Sequence, residues 1–244
     1  MSTSGNAWKA RTLAALAADR AQVGDSAGAL QAAERLVAGC AADPDAEVRT
    51  FVSSALVDLT LDLQADPAAA VTVGNWLDTA FGDRRDPAVR ANLARGLHNL
   101  GLYRAAAGDL PGAISAGTRL SSEFSLDSDP VIREAVAGGM RNLAIDQASA
   151  GDLPAAIATA ELLVERYGAD TATPVRAAVS GAMVNLADHL AREGRAEDAA
   201  AARQRLIAKF GADPDASVQQ CVQRVRGEGG VDGPHTLSEF LGGD

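Results

Sequence analysis

Apolar residues along most of the chain recur at steps of three and four, the spacing that places side chains on one face of an α-helix. In the stretch 153–168, Ala156, Ile157, Ala160 and Leu163 fall on such a face. The stretch 129–151 shows a longer amphipathic pattern of the same kind. The pattern therefore predicts long helices alternating with shorter ones, and it does not predict strands.

The pair formed by one long and one short stretch is repeated several times along the chain. The segment NLGLYRAAAGDLPGAI, residues 99–114, returns 43 residues later as NLAIDQASAGDLPAAI and 43 residues further on as NLADHLAREGRAEDAA. Earlier copies at a 41-residue step bring the total to about five. A lone helix pair cannot bury both of its apolar stripes, but stacked pairs can. We expect an all-α protein, a right-handed α-solenoid of about five helix-turn-helix repeats, with residues 215–227 as a polar C-terminal capping helix.

Glycine, aspartate and proline separate the predicted helices. In Gly108-Asp109 and Gly151-Asp152, glycine can end one helix in a left-handed conformation and aspartate can cap the next. Proline follows within two residues, where the first turn of a helix tolerates a missing N–H. Asp-Pro pairs then precede the long stretches, and we interpret them as the starts of the first helix of each repeat.

Composition narrows the classes of function. The net charge of −10 and a pI of about 4.8 argue against nucleic acid and anionic membranes as partners. No apolar run reaches the roughly 18 residues of a membrane span. The two cysteines form no CxxC motif, and the three histidines have no neighbour at metal-ligand spacing, so we predict neither a metal site nor a cofactor. Free thiols favour a reducing compartment, here the cytoplasm, and the alanine- and arginine-rich composition suggests a bacterial source.

The repeat resembles the tetratricopeptide repeat. Asn99-Leu100-Gly101, the turn at Gly108-Asp109 and the pair Ala113-Ile114 are similar to the pattern of that family, and the resemblance covers roughly residues 8–226. The copies here are 41–43 residues long, against about 34 in the family. The resemblance implies that the first helices line a groove that holds a peptide or helix of another protein. It places six residues in that groove: Arg95, His98, Leu102, Arg141, Ile145 and Asp188.

An arginine recurs near the start of four first helices, as Arg49, Arg90, Arg133 and Arg176. These residues could form a stripe that meets an acidic partner. Alternatively, each could pair with an acidic residue of the turn before its helix or cap a neighbouring helix, and we favour this structural role. The groove itself lacks the lysine and asparagine set with which relatives hold a C-terminal carboxylate. We therefore expect an apolar or helical ligand.

Both ends of the chain depart from the repeats. We expect residues 1–7 to be a flexible N-terminus, residues 8–226 to form the solenoid and residues 227–244 to be a glycine-rich linker and tail. The tail carries Leu237, Phe240 and Leu241 at helical spacing. It could dock on a partner, fold back on its own solenoid or stay disordered.

These observations favour a non-catalytic scaffold or adaptor that binds another protein through its groove, its tail or both. A self-association module is the alternative, since incomplete repeat ends would permit stacking of copies. A hydrolase hidden in the helical fold is a remote third hypothesis, because the sequence contains no GxSxG, P-loop or other catalytic motif.

Overall fold

The computed structural model describes residues 3–83 and 85–227, and within these ranges it contains eleven α-helices and no strand. Five helix pairs are followed by a single last helix, as the repeat pattern predicted, so the chain is an all-α protein of the α-solenoid class. The helices are α1 Thr3–Gln22, α2 Ser26–Cys40, α3 Ala46–Asp62, α4 Pro67–Phe81, α5 Pro87–Ala106, α6 Leu110–Phe124, α7 Pro130–Ser149, α8 Leu153–Tyr167, α9 Thr173–Arg192, α10 Ala196–Phe210 and α11 Ala216–Arg226.

The turn inside each pair has the predicted chemistry. Gly108 and Gly151 adopt the left-handed conformation, with φ of 82° and 90°, and thereby end α5 and α7. The following aspartates cap the second helices: Asp109 Oδ1 accepts from Gly112 N at 2.9 Å, and Asp152 Oδ1 accepts from Ala155 N at 3.0 Å. Each cap satisfies a backbone N–H group that the helix leaves without an internal partner.

Helix α1 begins earlier than the sequence predicted. The expected flexible terminus covered residues 1–7, but α1 starts at Thr3. Asn6 explains part of the difference, because its side-chain amide donates to Asp43 Oδ2 at 2.6 Å and so ties the first turns to the start of the next pair. The expected linker and tail, with Leu237, Phe240 and Leu241, lie outside the described residues apart from Gly227.

The chain divides into two compact units, Met1–Ala116 and Gly117–Asp244. In the first unit, α1 packs on α2 and α3, and α5 packs on both α3 and α4. Hydrogen bonds between polar side chains join α5 to α3: Asn92 donates to Ser53 Oγ at 2.9 Å, and Asn99 donates to Thr60 Oγ1 at 2.8 Å. Phe81, at the end of α4, is completely buried.

The second unit repeats this arrangement. Helix α9 packs on α7, α8, α10 and α11. The core around it is one cluster of buried residues that includes Ala160, Leu186, Leu190 and Ala199. Tyr167 ends α8 in the core, and its hydroxyl donates to the Ser125 carbonyl at 3.1 Å. These contacts make α9 the central helix of the unit.

The last helix, α11, buries only Val218 and Val222. Gln220 and Gln223 are exposed, as expected for a capping helix. Gln219 differs from that expectation, since its amide turns back to donate to the carbonyls of Phe210 at 2.9 Å and Asp213 at 2.7 Å. It thereby satisfies the carbonyl that ends α10. No helix among the described residues is long and apolar enough to cross a membrane.

Candidate interaction surface

The residues predicted to line the groove lie on first helices, and all six are partly exposed, whereas most of their helix neighbours are buried. We call the partly exposed side of the first helices in each unit its first-helix face. The first unit contributes Arg95, His98 and Leu102, all on α5. The six predicted residues are therefore divided between the two compact units.

The first-helix face of the first unit combines an ion pair with apolar residues, among them Leu102 and Leu61, which is 45% exposed and lies at the same repeat position on α3. Arg95 Nη2 lies 3.6 Å from Asp58 Oδ1 on α3, and 62% of the Asp58 side chain is exposed. Such exposed pairs contribute little to stability. Leu102 lies on the same helix, two turns after Arg95, and is half-buried. The face therefore combines an exposed carboxylate with an apolar anchor point.

The second unit contributes Arg141 and Ile145 on α7, and Asp188 on α9. The Arg141 side chain lies across Gly181, where a Cβ would come within 3.1 Å of Arg141 Cδ. Its Nη2 donates to Asn142 Oδ1 at 3.3 Å. Burial lowers the pKa of the guanidinium to about 10, which leaves it charged at neutral pH.

Asp188 is held between two arginines. Its Oδ2 accepts from Arg224 Nη2 at 3.5 Å, and its Oδ1 lies 3.7 Å from Arg203 Nη2. Ile145 is the apolar member of this first-helix face and is half-buried. Each unit thus presents a partly exposed aliphatic residue, Leu102 or Ile145, with charged groups on the same face.

Sequence reasoning did not select Cys221, which α11 brings to Arg141 and Ser180. Burial raises the pKa of the thiol more than the Ser180 hydrogen bond and the two nearby guanidinium groups, of Arg141 and Arg224, lower it. A thiol with a raised pKa is a poor nucleophile. The signal that could have found this contact is the repeat register, which places α11 beside α9 as a further first helix.

The recurring arginines bridge successive repeats. Arg49 Nη2 pairs with Asp86 at 3.2 Å, Arg133 Nε with Asp170 at 3.0 Å, and Arg176 Nε with Asp213 at 2.9 Å; each carboxylate lies 37 residues later in the chain. From the sequence we expected each arginine to pair with an acidic residue of the preceding turn or to cap a neighbouring helix. The preceding turn instead supplies backbone carbonyls, since Arg49 Nη1 donates to those of Asp43 and Pro44, both at 2.8 Å.

Arg49, Arg133 and Arg176 of the arginine stripe therefore already form ion pairs within the chain. The sequence neighbours of an arginine do not reveal an acceptor 37 residues away. A role of Arg49, Arg90, Arg133 and Arg176 in binding an acidic partner stays a prediction.

Two further features bear on chemistry. A cavity of about 540 Å³ lies between the turns before α7 and α9, lined by Ser125, Leu126, Arg133, Arg166, Tyr167 and Asp170 among others. Among the described residues, no three His, Cys, Asp or Glu side chains come together in a way that could hold a metal ion.

Comparison with known proteins supports the fold. A designed armadillo repeat protein is similar over 90% of this chain and 91% of its own, with 19% identity and a TM-score of 0.59. A second designed armadillo repeat protein, solved in complex with the peptide (KR)4, covers 90% of each chain at 17% identity and a TM-score of 0.53. A third similar structure contains the nearly identical TPR-like repeats of a protein from Podosopora anserina that is described as a kinesin light chain. It covers 82% of this chain and 93% of its own, with 16% identity and a TM-score of 0.52.

No family model matches the sequence, and no curated protein matches it. The chain is thus similar in fold to helical repeat proteins of both the TPR-like and the armadillo kind. At these identities the similarity extends to the fold alone.

Proposed function

We propose that the chain is a non-catalytic scaffold that binds a peptide or helix of another protein on the first-helix faces of its repeats. The observation that carries the proposal is the recurrence of a partly exposed aliphatic residue, Leu102 on α5 and Ile145 on α7, at the same repeat position 43 residues apart. Repeat proteins commonly bind extended or helical segments on such surfaces. The similar fold of a designed protein that binds a peptide supports the same class of function.

The charges on these faces favour an apolar or helical ligand over an acidic tail. The Asp58 side chain is 62% exposed and that of Asp188 is 45% exposed, whereas Arg141 lies across Gly181 and Arg224 already pairs with Asp188. On each face an acidic peptide would meet an exposed carboxylate whose neighbouring arginine is already paired with it. Leu102 would serve as an apolar contact for a ligand on the face of the first unit, and Ile145 would do the same on the face of the second unit.

The test compares aspartate substitutions on and away from the proposed surface. Peptides selected from a displayed random library against the full chain are titrated against Leu102→Asp, Ile145→Asp and Leu162→Asp. Leu162 lies on the second helix α8 and is 38% exposed, so it is the matched control. We expect at least one face variant to bind about tenfold more weakly, a loss of about 1.4 kcal/mol, and Leu162→Asp to bind normally.

Two results would contradict the proposal: unchanged affinity in both face variants, or a loss confined to Leu162→Asp. Charge reversal at Arg141 is a poor test, because this side chain packs against Gly181 and its replacement would disturb that packing. Circular dichroism of each variant separates loss of binding from loss of fold.

A further inference from the structure

Helix α1 carries a continuous row of exposed side chains. Trp8 is 70% exposed, Leu16 is 38% exposed, and Val23, in the turn after the helix, is 77% exposed. Thr12 and Ala15 are also exposed and lie between them at helical spacing. We call this row the α1 face. An exposed tryptophan aligned with two aliphatic residues is typical of a surface that another protein covers.

The corresponding face of α5 is buried at the positions of Trp8, Thr12 and Leu16, whereas the counterparts of Ala15 and Val23, Asn99 and Ala107, are partly exposed and exposed. Helices α1 and α5 have the same length and lie 84 residues apart in the repeat register. Trp8 therefore corresponds to Asn92, which is 8% exposed and bonded to Ser53 of α3, and Leu16 corresponds to Leu100, which is 2% exposed. Thr12 corresponds to Gly96, which packs against Leu77 of α4. The α1 face is thus the side through which a first helix packs on other helices.

We infer that the α1 face pairs with the α1 face of a second copy of this chain about a twofold axis. The residues are self-complementary when the two helices run antiparallel, because Trp8 and Val23 lie equally far from the midpoint between Ala15 and Leu16. Trp8 then lies level with the partner's Val23, and Ala15 lies beside the partner's Ala15 at the axis. The small Ala15 allows close approach at the centre, and the two Trp–Val contacts exclude water at both ends.

The polar residues of the row fit the same pairing. Thr12 then faces the partner's Asp19, so a hydroxyl donor meets a carboxylate acceptor. Arg20, at the edge of the row, is already paired with Asp25 of its own chain at 3.0 Å, which reduces repulsion between the arginines of the two copies. The pairing therefore leaves no like-charge contact at its centre.

Head-to-tail stacking of copies fits less well. In the first unit, Thr50 and Ser53 of α3 accept hydrogen bonds from Asn92 of α5. In the repeat register, the residues of α11 that correspond to Thr50 and Ser53 are Gln220 and Gln223. Both glutamines are exposed. Stacking α1 of one copy on α11 of the next would bury Trp8 against two amide side chains. The isologous pair buries it against Val23 and closes as a dimer.

Light scattering during gel filtration of the full chain at high micromolar concentration tests the dimer. The native chain is expected to elute with the mass of a dimer, and Trp8→Glu combined with Leu16→Glu with the mass of a monomer. The control Leu126→Glu changes a side chain that is 90% exposed outside α1 and is expected to remain dimeric. A monomeric native chain, or a double variant that stays dimeric, would overturn the inference.

Two further readouts identify the surface and its symmetry. Trp76→Phe leaves Trp8 as the one tryptophan, whose emission should shift to the blue as concentration rises. Ala15→Cys in a Cys221→Ser background places one thiol near the axis, because Cys40 is buried. Mild oxidation should then link two identical chains. Absence of the link in a chain that is dimeric by mass would exclude the twofold arrangement.

Discussion

Three buried polar residues occupy one position of successive first helices: Tyr103 on α5, Asp146 on α7 and His189 on α9, each 43 residues after the last. In the part of the chain that the structure describes, the Tyr103 hydroxyl and both His189 ring nitrogens are buried without a hydrogen-bond partner. Burial raises the pKa of Asp146 to about 7 and lowers that of His189. In both cases the fold favours the neutral form of the side chain.

Asp146 should make stability fall as pH rises. An aspartate in the unfolded chain has a pKa near 3.9, whereas the folded protein holds the proton up to about 7. The favourable effect of the protonated carboxyl is complete below about pH 4 and is lost as pH rises through 7. Asp146→Asn mimics the protonated form, so we expect it to be more stable than the native chain at pH 8 by about 1–3 kcal/mol. Urea unfolding at several pH values measures the difference.

The pH dependence separates this effect from a general benefit of asparagine. The advantage of Asp146→Asn should shrink to near zero by about pH 4. His189 has the opposite sign: its lowered pKa gives stability that is present above pH 6.5 and lost as pH falls. His189→Gln should therefore lose less stability than the native chain as pH falls below 6.5. Above pH 6.5 the pH dependence of its free energy of unfolding should match that of the native chain. An Asp146→Asn advantage that is constant with pH would show that the carboxyl does not titrate in the folded state.

At the scale of helices, close contacts recur with the repeat. A Cβ on Gly74 would lie 3.0 Å from Leu100 Cδ1, and one on Gly117 would lie 3.0 Å from Leu143 Cβ. Each contact joins a second helix to the first helix that follows it. In the next repeat Ala160 takes the glycine position and lies in the same core cluster as Leu186. A small residue at this position sets the distance between the helices.

Gly117→Val should therefore destabilise the protein by about 1–3 kcal/mol, because the added methyl groups meet Leu143 Cβ, which no rotation of the leucine side chain can move. Thr118→Val on the same helix is the matched control, since Thr118 is exposed and already β-branched. The urea midpoint of the control should stay near that of the native chain. A urea midpoint for Gly117→Val that equals or exceeds that of the native chain would contradict the packing argument, because valine has a higher helix propensity than glycine.

The sequence predicted what is local and periodic. The helix pairs, the left-handed glycines and the aspartate caps follow from residues within one or two turns of each other, and the structure confirms them. The predicted site residues were found on first helices, but their surroundings were not predictable. Arg141 lies against Gly181 and near Cys221 on two other helices, and such contacts depend on interhelical distances that no pattern in one sequence specifies.

For the molecule as a whole, the arginine bridges connect one repeat to the next. In the second unit, Arg176 on α9 holds Asp213 through two nitrogens at 2.9 and 3.3 Å. Asp213 in turn accepts from the backbone N–H of Asp215, whose carboxylate caps α11 at Ser217 and Val218. Because a repeat protein transmits stability through neighbouring contacts, the start of α11 depends on a side chain of α9.

Arg176→Gln should loosen α11 without unfolding the helices before it. Hydrogen exchange measured by mass spectrometry is expected to become faster across residues 216–226 and to stay nearly unchanged in α7 and α8. Arg205→Gln removes the same charge from an exposed position on α10 and should leave the exchange of α11 at its native rate. If α11 exchanges equally slowly in both variants, this bridge does not couple the repeats. The hydrophobic contacts of Val218 and Val222 would then be what holds the last helix.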